Sequence, residues 1–264
     1  MPEPTILDTI LAYKREEVAA RQKALPLAEL QAACSNLPPT RGFKSALQSP
    51  KIGPVALIAE VKKASPSAGV IREDFDPVLI AQTYEQAGAS CLSVLTDEKF
   101  FQGHDEYFRT IRKTVPLPMI RKDFVVCPWQ IYESRLLGAD AVLLIAAALT
   151  LSELRDYQAL ADSLNMDALI EVHTEREMQA ALEVDAQLVG INSRNLNTFV
   201  TDLETVSRLA AQVPGSVTLV AESGLKTFAD VRRVADSGAS AILVGETLMR
   251  AGNIGAAIRK LMGE

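Results

Sequence analysis

The chain has 264 residues, of which 48% are hydrophobic and 23% are charged, and its formal net charge at pH 7 is −6. This size supports a substantial core, arranged as one large α/β domain or as two small ones. The acidic balance gives no electrostatic support for a nucleic-acid or anionic-membrane partner. A protein with this net negative charge can bind an anionic substrate only where basic side chains are gathered locally.

The few cysteines and histidines exclude several kinds of site. Cys34, Cys91 and Cys127 are an odd number without C-x-x-C spacing, so we interpret them as reduced thiols and not as disulfides or zinc ligands. His104 and His173 are too few for a histidine-based metal centre, and we predict no metal. The N-terminus does not resemble a signal peptide, and no apolar run is long enough to span a bilayer. We therefore predict a soluble cytoplasmic protein without membrane contact.

From residue 55 onward, short apolar runs alternate with longer amphipathic stretches. The runs are rich in β-branched residues, as is typical of buried parallel strands. The predicted strands are 55–61, 91–95, 118–121, 141–145, 168–172, 188–191, 217–221 and 241–244. The stretches between them begin with helix-capping residues: Asp76 precedes Pro77, and Thr150 stands three residues before Glu153.

The predicted helix ends repeat at a regular interval. Gly88, Gly138 and Gly238 each close a helix, and they are separated by 50 and 100 residues, or about 25 residues per βα unit. Eight such units favour a closed (β/α)8 TIM barrel over residues 51–264. A doubly wound open sheet is the alternative, although the KKAS segment after the first strand is not the glycine-rich fingerprint expected there.

Residues 1–50 precede this alternation. Ile6, Ile10 and Val18 follow a partly helical apolar spacing, and residues 27–34 give a second such segment. We predict two helices that form an N-terminal extension packed over one end of the barrel, because such apolar faces are unusual in a disordered tail.

Charged and polar residues are concentrated where the predicted strands end, which is where barrel active sites lie. They are Glu60, Lys62, Lys122, Glu171, Asn192, Arg194, Glu222, Ser223 and Glu246. Strand alternation places Glu60 beside Lys62, and Asn192 beside Arg194. Gathering so many charged residues at one end of an apolar barrel costs desolvation free energy, which packing alone does not explain. Such a cluster is typical of acid–base catalysis.

Structural interpretations remain open for several of these residues. Glu60 with Lys62 or Lys122 fits an ion pair that closes the top of the barrel, and Arg194 fits a solvated loop charge. We assign His173 to a structural role outside the site.

Two glycines indicate where an anion binds. Gly224 and Gly245 follow the seventh and eighth strands, whose loops often form a phosphate site in barrels. Glycine permits close backbone approach, and consecutive N–H groups at a helix start bind an anion without a basic side chain.

Several sequence blocks resemble the indole-3-glycerol phosphate synthase family. In chain order they are IAEVKKASPS at 58–67, LTDEKFFQG at 95–103, IRKDF at 120–124, LIEVH at 169–173, GINSRNL at 190–196, AESG at 221–224 and VGETLM at 244–249. The N-terminal segment resembles the extension of that family. The resemblance implies conversion of 1-(2-carboxyphenylamino)-1-deoxyribulose 5-phosphate to indole-3-glycerol phosphate, a step of tryptophan biosynthesis, without a cofactor. It implies a small phosphorylated substrate, and no obligate protein partner is evident.

The resemblance also implies roles for individual residues. Lys122 corresponds to the general acid and Glu171 to the general base, while Lys62 holds substrate charge and Glu60 orients the lysines. The implied substrate contacts are Asn192 and Arg194 on the anthranilate carboxylate, Glu222 and Ser223 on the ribulose hydroxyls, backbone N–H groups of Gly224, Gly245 and Glu246 on the phosphate, Phe124 and Leu144 against the aromatic ring, and Ser65 in the first loop. The chain departs from many relatives at Ala68, where they have lysine, and from some at Glu246, where they have serine.

Two other functions are compatible with a barrel of this kind. Phosphoribosylanthranilate isomerase also binds phosphate, but it depends on cysteine and aspartate at its strand ends. A non-catalytic scaffold is expected to have lost its acid–base residues, which are present here.

Overall fold

The computed structural model describes residues 4–195 and 199–264. Leu196, the last residue of the GINSRNL block, lies outside the described residues. Eight parallel strands form the centre of the fold: β1 Ala56–Val61, β2 Cys91–Leu95, β3 Met119–Lys122, β4 Ala141–Ile145, β5 Asp167–Val172, β6 Leu188–Asn192, β7 Thr218–Glu222 and β8 Ala241–Val244. Each strand pairs with the next along the chain, and β8 pairs with β1, so the sheet closes. The predicted barrel is confirmed, the open sheet is wrong, and every predicted strand is correct to within one residue at either end.

Helices surround the barrel. They are α1 Ile6–Ala24, α2 Leu27–Cys34, α3 Phe43–Leu47, α4 Pro77–Gln86, α5 Glu98–Phe101, α6 Asp105–Thr114, α7 Pro128–Leu137, α8 Leu151–Ser163, α9 Glu175–Glu183, α10 Glu204–Ala210, α11 Phe228–Asp236, α12 Glu246–Met249 and α13 Ile254–Met262. The predicted caps form, since the Asp76 carboxylate accepts from two backbone N–H groups of α4, and Thr150 and Glu153 make a capping box on α8. No helix among the described residues is long and apolar enough to cross a membrane.

The alternation of side chains along each strand divides the core into two layers. The residues that face the barrel axis form an apolar floor: Ala56, Ile58, Cys91, Ile120, Ala141, Leu143, Leu169, Leu188, Val220 and Ala241. The residues between them face outward and pack against the surrounding helices. Continuing the inward series toward the carboxyl ends of the strands leads to Glu60, Lys122, Glu171 and Glu222, so the charged residues lie directly above this floor.

The N-terminal segment contains three helices where the sequence predicts two, and it reaches both ends of the barrel. The third helix, α3, contributes Phe43 and Leu47 to the apolar floor, and the backbone N–H of Lys44 donates to Asp167 at the start of β5. Helix α1 instead lies against the carboxyl ends of β2 and β3. The amphipathic spacing of α1 indicated a buried face but not which end of the barrel it covers.

A buried lysine fixes α1 in this position. The Lys14 side chain is 1% exposed, and its Nζ lies 2.9 Å from carboxylate oxygens of Glu17, Asp97 and Asp123. Burial alone would lower the pKa of Lys14, but the three carboxylates raise it well above its usual value. Arg121 extends this cluster by pairing with Asp105, Glu133 and Asp123.

We predict that Lys14→Ala destabilises the protein by about 3–5 kcal/mol, because Asp97 and Asp123 remain buried without their cation. The free energy of unfolding is measured by urea titration. Lys23→Ala, at an exposed position of the same helix, serves as the control and is expected to change that free energy little. An equally small effect of Lys14→Ala would show that α1 is held by apolar packing alone.

Candidate active site

The carboxyl ends of the strands enclose a cavity of about 830 Å³. Residues from all eight strands and from loops that follow them line it, together with one face of α1. The predicted site residues in its lining are Glu60, Lys62, Ser65, Lys122, Phe124, Glu171, Asn192, Arg194, Glu222, Ser223, Gly224, Gly245 and Glu246. Residues far apart in the chain therefore meet around one space that is large enough for a small organic substrate.

Lys122 occupies the centre of the charged group. Its Nζ lies 2.7 Å from Glu171 Oε2 and 3.1 Å from Glu222 Oε2. Burial alone would lower the pKa of Lys122, but the charges of Glu171, Glu222 and Glu60 raise it far above its usual value. Lys122 is therefore a protonated, hydrogen-bonded ammonium at neutral pH.

The two carboxyl groups beside Lys122 differ in protonation. Burial and the neighbouring charge of Glu171 raise the pKa of Glu222 to about 7, although Lys122 opposes this shift. Burial also raises the pKa of Glu171, but the charges of Lys122 and His173 and hydrogen bonds from Lys122 and Asn192 outweigh it and lower the value to about 2. A single proton held by the pair thus resides on Glu222, and Glu171 is the ionised carboxylate.

Glycine at position 190 provides the room that Glu222 needs. A Cβ atom at Gly190 would overlap the Glu222 carboxyl group and would lie 3.3 Å from Leu169 Cδ1. Gly245 has the same relation to Glu60, because a Cβ atom there would overlap the Glu60 carboxylate. Two inward-facing glycines on β6 and just after β8 therefore let the carboxyl groups of neighbouring strands lie across them.

Glu60 and Lys62 form a second pair, as their spacing predicts. Lys62 Nζ lies 2.6 Å from Glu60 Oε1. The hydroxyl of Ser93 donates to Glu60 Oε2 over 3.4 Å, and the Tyr84 hydroxyl donates to the Glu60 backbone carbonyl over 3.0 Å. Both ends of Glu60 are thus held, which leaves the Lys62 ammonium at a defined position on the cavity wall.

Arg194 and Glu246 connect three loops at the opening of the cavity. The Arg194 guanidinium donates to Ser67 Oγ and to Glu246 Oε2, both over 3.1 Å. Glu246 also accepts from Arg250 Nε over 3.0 Å. The Glu246 carboxylate is therefore neutralised by two guanidinium groups.

The loops after β7 and β8 supply main-chain groups to the same cavity. Ser223 and Gly224 both have left-handed backbone conformations, with φ of +66° and +76°. Gly245 is the N-cap of α12, so its neighbours present N–H groups that no helical carbonyl accepts. Successive N–H groups of this kind form a concave anion site.

Leu144 is the one predicted site residue that the structure places elsewhere. Its side chain is fully buried in the outer layer, between the barrel and the helices. Its neighbours Leu143 and Ile145 line the cavity instead. The cause is strand alternation: β4 is apolar throughout, so nothing in its sequence shows which residues face inward.

Several residues of the site region were not predicted. Ile6, Leu7 and Ile10 from α1 line the cavity, so their apolar spacing marks a cavity-facing surface as well as a packing face. His173, assigned to a structural role, has its Nε2 only 3.5 Å from Glu171 Oε1. Its position two residues after Glu171 was the available signal.

The fold and the cavity define a (β/α)8-barrel enzyme whose cavity brings together paired lysine and carboxylate groups. The model of the indole-3-glycerol phosphate synthase family matches residues 7–261. Indole-3-glycerol phosphate synthases from two strains of Acidithiobacillus ferrooxidans are each 49% identical to this chain over 257 residues, which cover 97% of this chain and 98% of theirs. The chain belongs to the indole-3-glycerol phosphate synthase family, a family of lyases in tryptophan biosynthesis.

Solved structures resemble the fold at much lower identity. A 3-hexulose-6-phosphate synthase has a TM-score of 0.64 at 15% identity and covers 79% of this chain and 99% of its own. Thiamine phosphate pyrophosphorylase from Pyrococcus furiosus has a TM-score of 0.59 at 17% identity and covers 79% of this chain and 94% of its own. These similarities concern the barrel alone.

The protonated state of Glu222 predicts a pH dependence of stability. Its folded pKa of about 7 exceeds the model-peptide value of 4.5, so its contribution is complete below the unfolded pKa and is lost as the pH rises through 7. Between about pH 5 and pH 8, the free energy of unfolding should fall in both proteins' titrations, but the fall should be about 3 kcal/mol smaller for Glu222→Gln than for the wild type.

Urea titrations at several pH values within this range measure the effect. Glu16→Gln, at an exposed position of α1, is the control and should follow the wild type. Parallel pH profiles for Glu222→Gln and the wild type would show that Glu222 is ionised in the folded protein.

Proposed function

We propose that this chain converts 1-(2-carboxyphenylamino)-1-deoxyribulose 5-phosphate to indole-3-glycerol phosphate, with loss of carbon dioxide and water. Family membership supports the reaction. The observation that carries the assignment of roles is the 2.7 Å contact between Lys122 Nζ and Glu171 Oε2 at the bottom of the cavity. An acid and a base in direct contact serve a reaction that needs a proton added to an oxygen and a proton removed from the ring.

Lys122 is the proposed general acid. Its raised pKa ensures that it enters the reaction with the proton that the ketone oxygen takes up as the ring carbon attacks. A cation at this position also stabilises the negative charge that develops on that oxygen, and its side chain is only 14% exposed. Lys62, fixed by Glu60, is the second ammonium, and it assists when the hydroxyl leaves as water.

Glu171 is the proposed general base. Its lowered pKa keeps it ionised, so it accepts the proton whose removal restores aromaticity. Asn192 Nδ2 donates to Glu171 Oε1 over 3.2 Å and fixes the plane of the carboxylate. In its protonated form, Glu222 acts as a hydrogen-bond donor toward the ribulose hydroxyls and adds no further negative charge near the substrate.

The remaining groups bind the two anionic groups and the aromatic ring of the substrate. Backbone N–H groups of Gly224, Gly245 and Glu246 receive the phosphate, and Arg194 binds the anthranilate carboxylate through its planar guanidinium. The aromatic ring packs against Phe124, whose own ring contacts that of Phe101 in a tilted arrangement with centroids 5.9 Å apart, and against the apolar residues Leu143 and Ile145. We further propose a cytoplasmic location, since the three cysteines are free and two of them are buried.

Replacing either acid or base is expected to abolish turnover without unfolding the chain. Lys122→Met and Glu171→Gln should each lower kcat by about 10²–10⁴-fold, because a positioned proton donor or acceptor contributes about that much. Indole fluorescence, followed with the anthranilate–ribulose substrate and purified protein, measures turnover. Lys113→Met, at an exposed position of α6, is the control. Near-normal kcat in either site variant would remove the corresponding assignment, and no product from the wild type would remove the proposed function.

The ion pair between Arg194 and Glu246 competes with substrate binding. Glu246→Gln releases the guanidinium and removes a negative charge beside the proposed phosphate site. We expect KM to fall about 2- to 5-fold, the scale of a partly exposed ion pair. Arg208→Gln, which removes an exposed ion pair with Glu175 elsewhere on the barrel, should leave KM unchanged. A rise in KM for Glu246→Gln would mean that Glu246 holds Arg194 in its binding position.

A further inference from the structure

His173 lies between the proposed base and the rim of the barrel. It follows Glu171 by two residues and so faces the same side of β5. Its Nε2 is 3.5 Å from Glu171 Oε1, and its Nδ1 is 3.3 Å from Glu177 Oε2. The side chain is 11% exposed, so the imidazole separates a buried carboxylate from one nearer the solvent.

Glu177 holds the ring in this orientation. It is the third residue of α9, and its Oε2 accepts from the backbone N–H of His173 over 2.7 Å as well as contacting Nδ1. The opposite nitrogen, Nε2, is buried and makes no hydrogen bond within the described part of the chain. Glu171 Oε1 lies 3.5 Å from it, and catalytic hydrogen bonds of this length often shorten when substrate binds.

The proposed reaction consumes one proton per turnover. The substrate carboxylate leaves as neutral carbon dioxide, and the electron pair of the broken C–C bond stays with the ring. The ketone oxygen gains one proton when the ring closes and a second when it leaves as water, whereas rearomatisation returns only one. Two protons are supplied and one is recovered by Glu171, so the site ends each cycle one proton short.

We propose that the imidazolium of His173, held by Glu177, supplies this proton to Lys122 through the Glu171 carboxyl group. The Nε2–H bond breaks and an O–H bond forms on Glu171, which then protonates the neutral amine of Lys122. His173 is left neutral and regains its proton from solvent after the product leaves. The proposal rests on the proposed function, since that reaction sets the proton balance.

The charges around His173 favour its protonated form. Burial alone would lower the pKa of His173, but the hydrogen bond with Glu177 and the charges of Glu171, Glu177 and Glu222 raise it above 6.5. These carboxyl groups face it from β5, α9 and β7. The imidazolium is therefore favoured more strongly than in a free histidine, and kcat should decline as the pH rises through the pKa of His173.

Two substitutions separate proton supply from positioning. His173→Gln keeps an N–H donor directed at Glu171 but carries no titratable proton, and His173→Ala removes both. We expect kcat to fall at least about 10-fold in both variants, with KM little changed. Added imidazole should restore kcat in His173→Ala as its concentration rises. Wild-type kcat in His173→Gln, or a loss in His173→Ala that imidazole does not restore, would overturn the proposal.

Glu177→Gln provides an independent measurement. Glutamine can still accept from the backbone N–H of His173, but it removes the charge that favours the imidazolium. The alkaline decline of kcat should move to lower pH, and an unmoved decline would overturn the proposal. Glu175→Gln, two residues away and paired with Arg208, is the matched control. Because the wild type is assayed alongside, absence of product in all samples would instead indicate that the proposed function is wrong.

Discussion

In a closed parallel barrel, every second residue of each strand points into the interior, where it packs against side chains from the other strands. The inward positions of this chain carry apolar side chains in the lower layers and ionisable ones in the uppermost layer. A charge in that layer lies against hydrocarbon below and can be stabilised only by partners from other strands at the same height. Lys122 and Glu171 therefore have to meet, although 48 residues separate them in the chain.

The same constraint acts on the outer side of the barrel. Lys122 faces the cavity, whereas Arg121 and Asp123, its neighbours in the chain, belong to the buried ion cluster that binds α1. The strand end that carries the proposed acid is thus fixed from both sides by ion pairs. The N-terminal helix lines the cavity with apolar residues, and Lys14 holds it beside that strand end.

The sequence allowed us to predict the strands, from their periodicity, and most of the site residues, from the polar residues at strand ends. Glu60 with Lys62 could be placed because a charged residue fixes the phase of its own strand. Leu144 could not, since β4 contains no polar residue and either phase is compatible with an apolar run. His173 and Lys14 were missed for another reason. Their importance depends on carboxylates from other segments of the chain, and a local sequence pattern does not show which segments come into contact.

The distribution of charge across the cavity explains how a site with so many carboxyl groups can receive an anion. Lys62 and Lys122 face Glu60, Glu171 and Glu222, and this set is neutral when Glu222 is protonated. A phosphate gains nothing from this neutral group and is better bound by main-chain dipoles, which need no counter-charge of their own. On that side the Glu246 carboxylate is already paired with Arg194 and Arg250. In the proposed arrangement the phosphate is held away from the reacting centre, where a net charge near zero lets a single proton determine which group acts as acid and which as base.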